Sequence, residues 1–451
     1  MAKKNTSQYI CSECSYQTSK WLGRCPDCGQ WNTFSETAPS IIGNRTQKLN
    51  VPLKDLSELT NEAGKRYQTG ISEFDNVLGG GIVPGSLILL GGEPGIGKST
   101  LLLQIASHLS QYGLIIYNNG EESAHQIKLR SQRLKINEDN IRLLESTGLD
   151  EIESSMIQAQ PVGAVIDSIQ TVYRPDVQGL PGSLTQIKEG ANLFLNLSKK
   201  RNIFTFLVGH VTKEGNIAGP KSLEHIVDVV LYLEGEKYDS FRILRTYKNR
   251  FGSTDEMGVF QMTELGIQEV TNPSEHFIRD YNPNYPGTTL SAIHEGSRPL
   301  LVEVQALVSS THFNFPRRMV DGTDVNKVHK LIAILEKVLG ILLVQSDVYI
   351  NIAGGLRVKE PGIELAIIMA IWFSFKKVSY NKKILFIGEV GLAGEIRGVK
   401  GIHHRVNEAR KLGIDTILVP KKNATELSKS SRNKSLHYVS SIQEVVEFVS
   451  R

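Results

Sequence analysis

The chain has 451 residues, 40% hydrophobic and 22% charged. That globular balance excludes a disordered chain, a collagen-like fibre and a small stapled scaffold. At roughly 150 residues per domain, the length suggests about three domains. The 51 basic and 47 acidic side chains leave a net charge of +4. This permits a nucleic-acid partner without demanding one, because such binding depends on a local patch.

No apolar run approaches the roughly 18 residues that span a bilayer. The longest candidates are 365–373 and 332–344, and the second contains Glu336 and Lys337. The opening Met-Ala-Lys-Lys-Asn-Thr-Ser has no apolar stretch of the secretory kind, so a cytoplasmic protein with no membrane partner is expected.

In chain order, the first feature is a set of four cysteines, Cys11, Cys14, Cys25 and Cys28, with none after them. A disulfide framework is out of place in a cytosolic chain. Two Cys-x-x-Cys pairs ten residues apart instead suit two knuckles around one structural Zn²⁺. A redox dithiol would account for one pair alone. Residues 1–35 are therefore read as a zinc-finger module, with Trp21 and Trp31 expected to supply its small apolar cover. Residues 36–65 are polar and aperiodic, a linker.

Residues 66–272 alternate short apolar runs with helical stretches. Strands are expected at 87–90, 114–117, 164–166, 203–208, 229–233 and 241–246, the pattern of a doubly wound α/β sheet. Asn272-Pro273 marks the next boundary. Residues 273–451 form a second α/β unit with strands at 300–308, 348–352, 384–387 and 416–419. No internal repeat or low-complexity tract is visible.

Gly92-Glu93-Pro94-Gly95-Ile96-Gly97-Lys98-Ser99, followed by Thr100, matches G-x-x-x-x-G-K-[ST] between a strand and a helix. The glycines let backbone N–H groups cradle phosphate oxygens, and the helix N-terminus adds positive potential there. Lys98 would meet the β and γ phosphates of ATP, and Ser99 would offer a hydroxyl to Mg²⁺. Asp167 closes the apolar strand before Ser168, where a P-loop enzyme keeps the second carboxylate of the Mg²⁺ shell. Glu121 and Glu122 follow the second strand, and one of them is the candidate that activates water. Gln170, His210 and Lys213 follow later strands, where a γ-phosphate sensor could act.

Together these segments resemble the RadA (Sms) family of bacterial DNA repair proteins, which are RecA-like ATPases. The resemblance spans essentially the whole chain. It rests on the four-cysteine module with Trp21-Leu22-Gly23-Arg24 between its knuckles, the phosphate loop through Thr100, Gly120-Glu121-Glu122-Ser123, Val165–Thr171, Gly209–Gly215, and the signature Lys248-Asn249-Arg250-Phe251-Gly252. It implies a homo-oligomeric ring, a hexamer, that hydrolyses ATP on DNA. It implies branch migration beside the RecA recombinase, helicase-like translocation on single strands, branched DNA as a partner, and a part in repair under stress. The residues alone support less. Arg245, Lys248 and Arg250 beside Tyr247 and Phe251 suit phosphate contact with base stacking. They equally suit an arginine finger reaching a neighbouring γ-phosphate, or a strand edge kept soluble by cations.

Residues 273–451 resemble the proteolytic domain of Lon, through Asn351–Gly355 and Ile387–Ile396. The expected fold class is α/β throughout: a RecA-like P-loop core and a Lon-protease-like (ribosomal S5 domain 2-like) domain. In Lon a Ser–Lys dyad cuts peptides; here those positions are Gly362 and His403, and glycine has no nucleophile. A scaffold that assembles the ring and offers DNA-binding surface is expected instead. Lys327, Lys330, Arg357, Lys359, Arg397, Lys400, His404, Arg405 and Arg410 are candidates for that surface. The competing readings are a RecA-like regulatory ATPase acting on protein partners without DNA, and an ATP-dependent protease.

Overall fold

The computed structural model describes residues 8–14, 16–37, 65–210, 220–235, 241–296, 298–311, 315–414, 416–427 and 435–450. Lys213 and nearly all of the expected linker lie outside them. The chain divides into two compact units, and the division interleaves between 235 and 268, upstream of Asn272-Pro273.

The zinc module is a three-stranded antiparallel sheet of β1 (Gln8–Cys11), β2 (Gln17–Thr18) and β3 (Phe34–Thr37), in the order β2-β1-β3. Its buried cluster is only Cys11, Cys25 and Phe34. Trp21 and Trp31 are 55% and 66% exposed, which corrects the expectation that they cover the module. A sheet this small has no second layer to bury an indole against, so a metal takes over the work of a core.

The first unit continues with α1 (Ser72–Val77), β4 (Leu87–Gly92), α2 (Lys98–Leu109), β5 (Ile115–Asn119), α3 (Ala124–Arg133) and β6 (Ile141–Leu144). Then come α4 (Leu149–Ala159), β7 (Gly163–Asp167), α5 (Leu184–Arg201), β8 (Phe204–His210), α6 (Pro220–Leu223) and β9 (Val229–Glu234). The parallel strands lie in the order β9-β4-β8-β7-β5-β6. Strands β4, β5 and β7 are buried along their whole length; their apolar residues fit a sheet covered on both faces, while Asn118, Asn119 and Asp167 are buried polar groups at the ends of β5 and β7. One core packs Leu87 and Leu89 of β4 against Ile152 and Met156 of α4 and Ile187 and Phe194 of α5. Helix α3 starts on a capping box between Ser123 and Gln126, which fixes where the preceding acidic turn ends. The register pairs Gly92 with His210 and Asn119 with Asp167. The phosphate loop and the ends of β5, β7 and β8 therefore share one sheet edge. Strands β10 (Phe241–Asn249), β11 (Met257–Thr263) and β12 (Gly266–Glu269) follow, in the stretch where the chain alternates between the two units.

The second unit opens with α7 (Pro273–Phe277), β13 (Thr288–Glu295), β14 (Arg298–Ser310), β15 (Arg318–Asp321), α8 (Val325–Leu339) and β16 (Ser346–Ile352). It closes with α9 (Glu364–Lys376), β17 (Ile384–Phe386), the ribbon β18 (Glu389–Val390) and β19 (Ile396–Arg397), α10 (Ile402–Lys411), β20 (Thr416–Pro420), α11 (Ala424–Leu427), β21 (Leu436–Val439) and α12 (Ile442–Val449). Its mixed sheet has the order β15-β16-β14-β13-β17-β20-β21. Helix α9 holds the apolar run at 365–373 and is buried on every side. It is a core helix, the usual fate of an apolar stretch of this length. No helix among the described residues is long and apolar enough to cross a membrane.

Candidate functional site

Strand β4 ends at Gly92 and α2 begins at Lys98, so the phosphate loop is the connection between them. Gly97 caps α2 with φ of 116°, a left-handed conformation that a side chain would resist. A Cβ on Gly92 would stand 2.6 Å from the Leu233 carbonyl oxygen, so no other residue fits there. Lys98 is buried, and its Nζ donates to the carbonyls of Gly92 and Glu93 at 2.8 and 2.9 Å. Burial pushes its ammonium down to about 8, against the pull of Asp167 and Glu121. An anion at the loop would offset that desolvation, so the donor set fits a triphosphate.

Asp167 ends β7 and is joined to Ser168 by a cis peptide. Burial raises its carboxyl above the ordinary value, while hydrogen bonds from Ser99 and Tyr117 pull it back. Ser99 and Asp167 thus stand together at the head of α2, a pair of oxygen donors that fits Mg²⁺.

The two adjacent glutamates point to different places. Glu121 Oε1 accepts from Ser168 Oγ at 2.6 Å and lies 3.2 Å from His210 Nε2. The His210 hydrogen bond, with help from Ser168 and Lys98, holds its carboxyl down at about 2 against the cost of burial. Glu122 instead pairs with Arg130 on α3, and its carbonyl accepts from Asn119. Asn119 Oδ1 also accepts from the Glu121 backbone N–H at 3.3 Å, so one amide clamps the turn that splits the pair. Gln170 Nε2 reaches the His210 carbonyl at 3.5 Å, which ties the loop after β7 to the end of β8. Sequence reasoning missed Tyr117 and Asn119. Tyr117 reaches Asp167 across two strands, which only the register shows, and Asn119 clamps the acidic turn that follows it in the chain.

In the zinc module the four Sγ atoms lie within 4.8 Å of one another. Cys11 and Cys28 are 3.6 Å apart, and Cys14 and Cys25 are 3.4 Å apart. A disulfide needs about 2.05 Å, whereas a tetrahedron with 2.3 Å arms has edges of about 3.8 Å. The four free thiols therefore fit one zinc ion. Thr33 Oγ1 stands 3.1 Å from Cys11 Sγ, placed to orient that ligand.

The segment 248–252 sits at the other end of the sheet. Lys248 Nζ donates to the Val227 carbonyl at 2.7 Å and also to that of Glu224. Arg250 pairs with Asp228 at 3.2 Å and keeps half of its side chain exposed. Asn249 donates to the Leu78 carbonyl, and a Cβ on Gly252 would stand 3.3 Å from Gly79 Cα. The Asp228 backbone N–H donates to the Leu87 carbonyl at the start of β4, and Gly92 ends that strand. Five steps along a strand separate the two edges by about 17 Å. Lys248 and Arg250 are thus remote from the phosphate loop of their own chain.

Comparison with known proteins accounts for this combination. Residues 9–36 match the rubredoxin metal binding domain, 54–216 an AAA domain, and 323–423 the subunit ChlI of Mg-chelatase. The DNA repair protein RadA of Bacillus subtilis is 48% identical over 429 residues, covering 93% of each chain. That of Halalkalibacterium halodurans is 46% identical over 431 residues, covering 94% of each. That of Streptococcus pyogenes serotype M3 is 45% identical over 458 residues, covering both chains in full. The chain belongs to the RadA family of DNA repair proteins. Among solved structures, the RadB recombinase matches at 23% identity and a TM-score of 0.36, over 45% of this chain and 99% of that one. This RadA-family chain is an ATPase, with ATP, Mg²⁺ and Zn²⁺ as cofactors.

The second unit of this RadA-family chain holds no nucleophile at Gly362. A Cβ there would stand 2.4 Å from Glu360 Oε1 and 3.3 Å from Arg405 Nη1. Those two side chains form a bidentate pair, at 2.9 and 2.7 Å, and Arg405 also donates to the carbonyls of Ala292 and Lys400. Arg405 is 1% exposed, which corrects its expected place on a DNA-binding surface. Of the other candidates, Lys330 pairs with Glu364 and Arg397 with Glu395, while Lys327 donates to the carbonyls of Lys359 and Glu360. Arg357, Lys359, Lys400 and His404 are exposed.

Proposed function

We propose that the chain is a cytoplasmic, DNA-dependent ATPase of homologous recombination and repair. It migrates branches and processes recombination intermediates with RecA, and translocates on single-stranded DNA in the manner of a helicase. It works as a homo-oligomeric ring, a hexamer. The observation that carries this reading is the joint presence of a complete phosphate loop, the zinc module and the 248–252 signature in a chain 48% identical to a DNA repair protein.

In the catalytic step we assign Lys98 and the loop N–H groups to hold the β and γ phosphates. Ser99 and Asp167 would hold Mg²⁺, which supplies charge neutralisation on the phosphates when bound. Glu121 orients the attacking water. A carboxylate held at about 2 is a weak net base, but it stays ionised and can accept a hydrogen bond from water. Phosphoryl transfer through a loose transition state asks mainly for positioning, so that character suits it. His210 keeps Glu121 ionised and, with Gln170, would couple the ends of β7 and β8 to the γ-phosphate. Lys213 is proposed as a sensor on sequence grounds alone.

Lys248 and Arg250 serve DNA or a neighbour's nucleotide. Their distance from their own phosphate loop supports an ATP-linked role only across a subunit boundary. The second unit is not a protease; the absent nucleophile and the Glu360–Arg405 pair crowding Gly362 support that. The test is branch migration of a three-strand junction by purified protein with RecA and ATP. Migration that disappears in Lys98→Ala is expected. Equal migration by wild type and Lys98→Ala would overturn the reading.

A further inference from the structure

Tyr117 lies midway along β5 and is 2% exposed. Its hydroxyl donates to Asp167 Oδ2 at 3.0 Å. The register sets Tyr117 opposite Val165 and Asn119 opposite Asp167, so the phenol reaches diagonally, two residues toward the catalytic edge. A tyrosine has one O–H to donate, and this one is spent on the carboxylate that ends β7. Filling the space would not need that oxygen, since a phenylalanine ring has the same shape. The hydroxyl sits in the second layer around the Ser99–Asp167 pair, where such partners fix the orientation of a ligand.

We infer that Tyr117 is a positioning residue for Asp167: its hydroxyl holds one carboxylate oxygen and so fixes the orientation in which the carboxylate meets the Mg²⁺ shell. The inference rests on the proposed reading that Asp167 serves that shell. The Tyr117 hydroxyl is placed to act through Asp167. A hydroxyl that was there merely to satisfy a buried ring would leave Mg²⁺ dependence untouched when removed.

The test is the affinity of the full chain for a fluorescent ATP analogue, titrated with Mg²⁺ and repeated in EDTA. In Tyr117→Phe, affinity in EDTA stays within about twofold, because Lys98 and the loop are intact. The Mg²⁺ concentration that gives half of the metal-dependent gain rises about 10–100-fold. In an Asp167→Asn background, adding Tyr117→Phe changes nothing further, because the group it positions is gone. Tyr117→Met fills the space with a flexible thioether and is expected to give the same shift, should the phenylalanine variant fail to fold. Superimposable Mg²⁺ titrations for wild type and a folded Tyr117 variant would overturn the inference, as would an equal shift in both backgrounds. If Asp167→Asn alone leaves the titration unchanged, the Mg²⁺-shell reading of Asp167 falls, and this inference with it.

Discussion

Removing Glu121 and Glu122 one at a time separates chemistry from scaffolding within one turn of chain. Glu121 is held between Ser168 and His210, beside Lys98. A positioned group of this kind contributes about 10²–10⁴-fold, so Glu121→Ala should lower the turnover of ATP by that factor. Glu122 is paired with Arg130 at a site where both side chains are partly exposed. Such a pair contributes about 0–1 kcal/mol. Even if all of it reached the transition state, Glu122→Ala would cost a factor of about five. The assay is steady-state ATP hydrolysis beside binding of a fluorescent ATP analogue, which both variants should retain. The His210 contact also sets a pH signature. With its carboxyl held at about 2, Glu121 stays ionised well below its ordinary 4.5. Any stability it lends is present above 4.5 and lost as pH falls toward 2. In His210→Ala the acid limb of hydrolysis should therefore move to higher pH. A loss in Glu122→Ala as large as that in Glu121→Ala would refute the assignment.

Three further outcomes follow from the other sites. Metal analysis should find one zinc per chain, and a chelator or Cys25→Ser should unfold residues 8–37 while ATP binding persists; a metal-free protein with that module folded would contradict the four-thiolate site. Glu360→Ala strands the 1%-exposed Arg405 charge and should destabilise the second unit by about 3–5 kcal/mol, read by urea unfolding through the buried Trp372; Gly362→Ser should create no peptidase activity. Arg250→Ala should cost little stability, because Lys199 still pairs with the buried Asp228 at 2.7 Å, but should abolish DNA-stimulated hydrolysis. An equimolar mixture with Lys98→Ala chains should regain hydrolysis if Arg250 serves a neighbour's nucleotide, and stay inactive if it serves DNA.

How far the sequence spoke depended on whether partners were neighbours in the chain. The phosphate loop was legible because its glycines, Lys98 and Ser99 are contiguous and flanked by an apolar strand and a helix. Asp167 was legible as the acid closing a buried run. The choice between Glu121 and Glu122 was not, because Ser168 and His210 come from two other strands and Arg130 from the next helix. Tyr117 looked like any buried aromatic until the register brought it to Asp167. Arg405 was misread as a surface cation because its partner, Glu360, lies 45 residues away. Trp21 and Trp31 were misread because indoles usually seek a core, and four thiols leave this module almost none. Strand β6 was missed because Arg142 and Leu143 both face outward, which erases its apolar pattern.

The most direct test of a DNA motor is ATP hydrolysis by the full chain with and without single-stranded DNA, across a salt series, with Lys98→Ala beside it. Stimulation that requires Lys98 and fades as salt rises is the predicted result, because grip on a phosphate backbone is electrostatic. Hydrolysis intact in wild type but indifferent to DNA at every salt concentration would contradict the account, and would point to an ATPase that acts on protein partners.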